Sequence, residues 1–190
     1  MRSVLTVLPI LLAASALAGC GPKSAATDAK TSSQGSAPAV AAASATPADV
    51  VLTANGAPQR RDGYWEMASY ADTGTPMAKQ FYCVGAGSEQ KYNLFDALAS
   101  VGDCQKRDFK RTATGWTFET SCKLMNAATT QSGTISGDFQ QAFRVDQTVS
   151  QGGSSQKGSI RGTRVGDCPS KFKPGDLVDS GGDRLGNLLG

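Results

Sequence analysis

Cysteine is the residue type in this chain with the most chemistry open to it, and there are five, at positions 20, 83, 104, 122 and 168. Cys20 stands apart, so four belong to the body of the chain. Their separations are 21, 18 and 46 residues, with no Cys-x-x-Cys pair. That spacing argues against a zinc site of four thiolates and against a thioredoxin-type redox motif. An even count in an oxidising compartment reads as two disulfides, with three possible connectivities. A hairpin decides between them. Gln105–Thr112 and Trp116–Lys123 alternate as strands around an Ala-Thr-Gly turn. With that turn centred near Ala113, Cys104 and Cys122 come nearly opposite on neighbouring strands, at a Cβ spacing that suits a bridge. Cys83 then pairs with Cys168 by elimination.

Catalysis is narrowed by a blank: the chain contains no His. Ser-His-Asp and Cys-His nucleophile pairs are excluded, as are His-bound metals. Carboxylates remain, and Glu66, Glu119, Asp138 and Asp146 are scattered along strands. No spacing marks a pair for hydrolase chemistry, so solvated outer-face charges are the better reading, and a carboxylate-dependent hydrolase is the lesser alternative. Gly152-Gly153 lies in a Ser-rich hairpin connection and lacks the Lys and helix of a phosphate loop. Lys106, Arg107, Lys110 and Arg111 surround Phe109, but alternation sends them to both faces of a strand that also carries Asp108. That is a solvated edge strand, not a nucleic-acid stripe. No catalytic residue, metal or cofactor is expected.

Cys20 has its own context. Arg2 opens a short positive region, and Val4–Ala18 carries no charge and is rich in Leu, Val, Ile and Ala. Its 15 residues span about 22 Å as a helix, short of a hydrocarbon core of about 30 Å. Such a run followed by small residues is the layout of a secretory signal peptide. Leu17-Ala18-Gly19-Cys20 resembles the lipobox of bacterial lipoproteins. The resemblance implies cleavage between Gly19 and Cys20, a diacylglyceryl group on the thiol, and an acylated amine, with palmitate-like chains. Each buried methylene contributes about 0.8 kcal/mol, so two or more chains make a stable anchor. Gly21 is not Asp, which resembles the pattern sent on to the outer membrane, facing the periplasm.

The elements follow from this address. Residues 1–19 are read as signal peptide, leaving 171 residues with 18 Lys+Arg against 16 acids, a side-chain charge of +2. That balance is too weak to call for nucleic acid. In residues 21–50, 23 of 30 are Ala, Gly, Ser, Thr or Pro and none is aromatic. Residues 20–58 are therefore expected to be a lipidated, disordered tether. Its root-mean-square reach as a flexible coil is about 35 Å.

A disulfide-bonded domain is expected over 59–170, with 171–190 a loose tail. Strands are expected at Gly63–Ala71 and Lys79–Val84, in the hairpin already described, around Ile135–Phe139 and Phe143–Val149, and at Gly158–Val165. One helix is expected from a Ser88 cap to about Val101. Leu94, Phe95, Leu98 and Val101 would face inward; Lys91, Asn93 and Asp96 would face out. The fold class is α+β, mostly β: a curved antiparallel sheet, a partial barrel, packed on one helix.

Gly63-Tyr64-Trp65-Glu66-Met67, Cys83-Val84, Cys104, Cys122, Ser136-Gly137-Asp138-Phe139 and Gly166-Asp167-Cys168 together resemble a family of uncharacterised bacterial envelope proteins, the domain of unknown function numbered 3617. The similarity spans roughly 61–168, and Tyr64 departs from the smaller apolar residue common there. It implies a secreted or lipid-anchored protein with a four-cysteine frame and no assigned activity. The reading that results is a non-catalytic binding or structural module of the cell envelope, not an enzyme. It is held to the membrane by lipid and contacts a protein, a glycan or a small apolar ligand. A pocket lined by Trp65, Trp116, Phe118 and Phe139 would favour a carrier of an apolar ligand; a filled core would favour an interaction module.

Overall fold

The computed structural model describes residues 50–190. The expected signal peptide, the expected Gly19–Cys20 cleavage site and the expected tether as far as residue 49 lie outside the described residues.

Nine strands form one antiparallel sheet, and its order departs from chain order at two junctions, on either side of the first two strands. Strands β3 (Asp103–Thr112), β4 (Gly115–Leu124), β5 (Ala127–Gly137), β6 (Ala142–Gln151) and β7 (Ser154–Gly166) run as a meander of hairpins. β7 then pairs with β1 (Gly63–Ala71), β1 with β2 (Pro76–Val84), β2 with β8 (Asp176–Asp179), and β8 with β9 (Arg184–Asn187). The sheet does not close, and β3 and β9 are its edges. Turn chemistry sets the meander. Gly152 and Gly153 take φ of 58° and 84°, and Met125 and Asn126 take 46° and 69°. Two consecutive positive φ values give the turn whose twist matches the flanking strands. Gly suits it without cost and Asn tolerates it; Met is the uncommon choice.

Alternation then sorts the side chains. Trp65 on β1, Trp116 and Phe118 on β4, Ile135 on β5, and Phe143 and Val145 on β6 all enter the inner face, joined by Tyr82, Val84, Phe95 and Phe139. These rings meet edge to face: Phe95 lies 5.1 Å from Phe143 and 5.7 Å from Phe139, and Trp116 lies 5.3 Å from Phe139. Gly162 on β7 is needed because a Cβ there would collide with the Phe143 ring. Phe139 is set by its loop. Asp138 Oδ1 accepts from the backbone N–H groups of Gln140, Gln141 and Ala142 at 3.0, 2.8 and 2.9 Å. Phe139 itself sits at φ 57°, and its carbonyl accepts from Arg61 N–H at 2.8 Å. The loop accepts an unfavourable backbone angle, and the buried ring repays it.

Three expectations are corrected. The single helix to Val101 is absent; in its place are a short helix α1 (Ser88–Lys91) and a 3-10 segment (Leu94–Ser100). The break comes at Tyr92 and Asn93, both extended, because the Asn93 side chain accepts from Phe95 N–H at 2.9 Å and starts a new turn. Helical period fails with it: Asn93 and Asp96 are buried, while Val101 is exposed. Ser88 does not cap; Gly87 holds the cap position in left-handed conformation.

The ordered chain begins before residue 59. Val50, Ala57 and Pro58 are buried, and Leu52 bridges to Pro58. Thr53 N–H reaches Ala57 O and Gln59 N–H reaches Val51 O, both at 2.8 Å. The Val-Val-Leu at 50–52 ends the tether-like composition, and Val50 joins the core cluster. Removing it and Pro58 exposes core. A chain beginning at Gln59 should therefore unfold at lower denaturant than one beginning at Gln34, by at least about 2 kcal/mol, the cost of uncovering one large apolar side chain. Equal midpoints in urea would show that 50–58 contributes nothing.

The tail at 171–190 is not loose, for it supplies β8 and β9. Asp176, 2% exposed, is its hub. It accepts from Lys173 N–H at 2.8 Å, Arg184 Nε at 2.7 Å and Asn187 Nδ2 at 2.8 Å. Burial alone would raise its pKa, but these hydrogen bonds outweigh burial and hold it below the ordinary value.

Candidate functional site

Both cysteine pairs stand at disulfide distance. Cys104 and Cys122 are register partners on β3 and β4, with Cα atoms 3.9 Å apart; Cys83 at the end of β2 meets Cys168 just beyond β7, at 5.6 Å. No thiol is left over among the described residues, and no group of three or more metal-binding side chains occurs there.

The four rings expected to face a ligand face one another instead. Trp65, Trp116, Phe118 and Phe139 are each no more than 4% exposed and pack into the core. None of Trp65, Trp116 and Phe139 lines any of the three surface concavities described, and Phe118, 4% exposed, borders one of about 220 Å³. Aromatic density on a strand face marks a core as readily as a pocket, and here it marks a core.

The candidate carboxylates do not converge. Glu66 pairs with Lys79 at 2.9 Å, Glu119 with Lys106 at 2.7 Å, and Asp146 with Arg144 Nε at 2.7 Å, while Asp138 serves its own loop. The basic run on edge strand β3 divides as alternation requires. Lys106 and Lys110 lie by Glu119 and Asp108; Arg107 turns inward to Asp96, and Arg111 stands 5.5 Å from the Trp116 ring.

A buried polar cluster lies beneath α1. Arg60 Nη2 donates to Glu89 Oε1 at 2.6 Å, and Asn93 Nδ2 donates to Glu89 Oε2 at 3.1 Å and to Pro58 O at 3.0 Å. The Arg60 guanidinium lies 4.8 Å over the Tyr82 ring. Burial pushes the Tyr82 hydroxyl up to about 12, with Arg60 working against the rise. Glu89 and Asn93 border a small surface concavity of about 140 Å³, but their polar atoms are taken up by Arg60 and Pro58 O, and the cluster ties residues 58–60 to α1.

What remains is on the opposite face of the sheet. A depression of about 450 Å³ crosses β5, β6 and β7 and ends against the β1–β2 turn. Its floor is hydroxyl-rich, with Ser132, Thr134, Thr148 and Ser159. Register aligns them: Thr134 faces Asp146, Asp146 faces Ser159, and Ser159 faces Tyr70. Three cations rim it. Arg144 is held by Asp146; Arg161 lies 4.8 Å over the Tyr70 ring; Lys157 is exposed. Among the described residues neither Lys157 nor Arg161 has an ion-pair partner within 4 Å. Sequence reasoning reached only Asp146 here. The signal was the odd-numbered set on β7, Ser155, Lys157, Ser159 and Arg161, all polar and all on one face.

Among the described residues no helix is long and apolar enough to cross a membrane. No curated protein and no solved structure matches the chain. A family model described as a protein of unknown function, DUF3617, matches residues 60–168, which takes in β1 through β7 and all four bridged cysteines but neither β8 nor β9. Covering more than half of the sequence, that match places the chain in the DUF3617 family.

Proposed function

We propose that this protein is a lipid-anchored, non-catalytic binding module of the bacterial cell envelope, and that it binds through the outer face of its sheet. The carrying observation is the contrast between the two faces. The inner face is filled by its own rings, which leaves the carrier reading without a chamber. The outer face holds the 450 Å³ depression, with two cations that pair with no carboxylate among the described residues. The lack of His and the separation of the carboxylates support binding over hydrolysis. The lipobox at Leu17–Cys20 and the small-residue stretch after it support an anchor and a tether, with the domain on the periplasmic side of the outer membrane.

Two measurements test the two halves. Mass spectrometry of protein from its own cells should find acylated Cys20 as the first residue, and Cys20→Ser should leave an uncleaved or released form; a free Cys20 thiol with cleavage elsewhere ends the anchor reading. A photo-crosslinking residue at Thr148, in the depression, should capture envelope material in intact cells, whereas one at Lys110 on β3 should not. Capture at Lys110 alone moves the binding surface to the sheet edge.

A further inference from the structure

Resting on that reading of the outer face, we infer that the depression takes an anionic glycan, a chain of sugars bearing carboxylate or phosphate groups. The lining sets three cations, Arg144, Lys157 and Arg161, against two carboxylates, Asp72 and Asp146, and the excess of positive charge calls for an anion. Lys157 and Arg161 share one face of β7 four residues apart, about 13 Å along the strand. That distance suits an extended ligand with more than one negative group. Arg161 is pre-oriented by the Tyr70 ring beneath it, which lowers the entropy lost on binding. Arg144 keeps its direction through Asp146, so that pair offers both a cation and an acceptor at the same spot.

The floor selects sugar over other polyanions. Ser132, Thr134, Thr148 and Ser159 present hydroxyls that both donate and accept, the complement of a polyhydroxylated ligand. An acidic peptide fits less well, for two reasons. β5, β6 and β7 are paired on both sides, so no strand backbone is free to bond a peptide main chain. The depression also contains no apolar pocket to anchor a side chain. Single-stranded nucleic acid needs open aromatic faces for stacking; Tyr70 is the only ring in the lining, and Arg161 covers it.

The test uses the full chain, purified from the cells that make it, with polygalacturonate, neutral dextran, polyglutamate and a single-stranded oligonucleotide as probes in calorimetric titration. Polygalacturonate should bind at least tenfold more tightly than the other three. A Lys157→Ala, Arg161→Ala double variant with an unchanged melting point should lose at least tenfold of that affinity. Equal binding of polyglutamate or of the oligonucleotide overturns the glycan in favour of an acidic protein or of charge alone. Unchanged binding by the double variant removes the site. Failure of every probe while Thr148 still captures material in cells overturns the ligand class and spares the binding face; failure of both overturns both.

Discussion

A Cys83→Ala, Cys168→Ala chain is expected to melt well below a Cys104→Ala, Cys122→Ala chain. The two bridges close loops of 85 and 18 residues. On the chain-entropy account those closures are worth about 4.6 and about 3 kcal/mol. Either is comparable with the ~5–15 kcal/mol net stability of a domain this size. Local structure widens the difference. Cys104 and Cys122 lie on a hairpin whose strands are already in register from Asp103↔Lys123 to Thr112↔Gly115. Cys83 and Cys168 instead join β2, 0% exposed at Cys83, to the segment leaving β7. Without that bridge the junction leading to β8 depends on short pairings alone. Calorimetry of the two double variants decides it; a lower midpoint for the hairpin variant would show that loop length does not govern here.

Glu89→Ala should cost about 3–5 kcal/mol, the penalty for leaving a buried charge without its partner. Arg60 is fully buried and Glu89 is 4% exposed, so the Arg60 charge has little access to solvent once the carboxylate is gone. Asn93 would lose an acceptor as well, retaining only Pro58 O. An Arg60→Met, Glu89→Leu double variant should recover most of the loss, because two apolar groups of similar volume remove the desolvation cost of both charges. Urea unfolding of wild type, single and double variants closes the cycle. A single variant within 1 kcal/mol of wild type would mean that the site hydrates when Glu89 is removed.

Most strand positions were legible because period two is written plainly: Trp65 and Met67 inward, Tyr64 and Glu66 outward, then the same beat through Trp116, Phe118 and Thr120. β5 is the exception, for it runs Ala127–Gly137 where a strand was expected around Ile135–Phe139; its first half is polar and small on both faces, and Phe139 lies in the following loop. The cysteine pairing was legible for the same reason, since hairpin register puts Cys104 opposite Cys122. The helix was not, because Leu94, Phe95, Leu98 and Val101 imitate helical spacing while Asn93 captures the backbone and Arg107 captures Asp96. The Asn93 bond is a local turn that competes with the helix, while the Arg107 contact comes from tertiary structure, which no local pattern carries. Residues 171–190 read as loose on composition alone; Asp176 organises them through partners 3 to 11 residues away. The outer depression was hidden because it joins Tyr70 to Arg161, 91 residues apart in the chain, and only the β1–β7 pairing brings them together.

The strand order has a consequence for the order in which the chain is made. β4 through β7 each pair with the strand before them, so each finds its partner as soon as it emerges. β1 and β2 appear first yet must wait for β7 and β8, roughly ninety residues later, before either outer edge is satisfied. The cysteines inherit the same delay. Oxidation in order of appearance would join Cys83 to Cys104, and the native set nests one bridge inside the other. Reaching it requires either that Cys83 stay reduced until Cys168 arrives or that a wrong bridge be exchanged through a mixed disulfide. The yield of correctly folded protein is thus tied to the thiol-exchange capacity of the compartment where folding finishes, and not to stability alone.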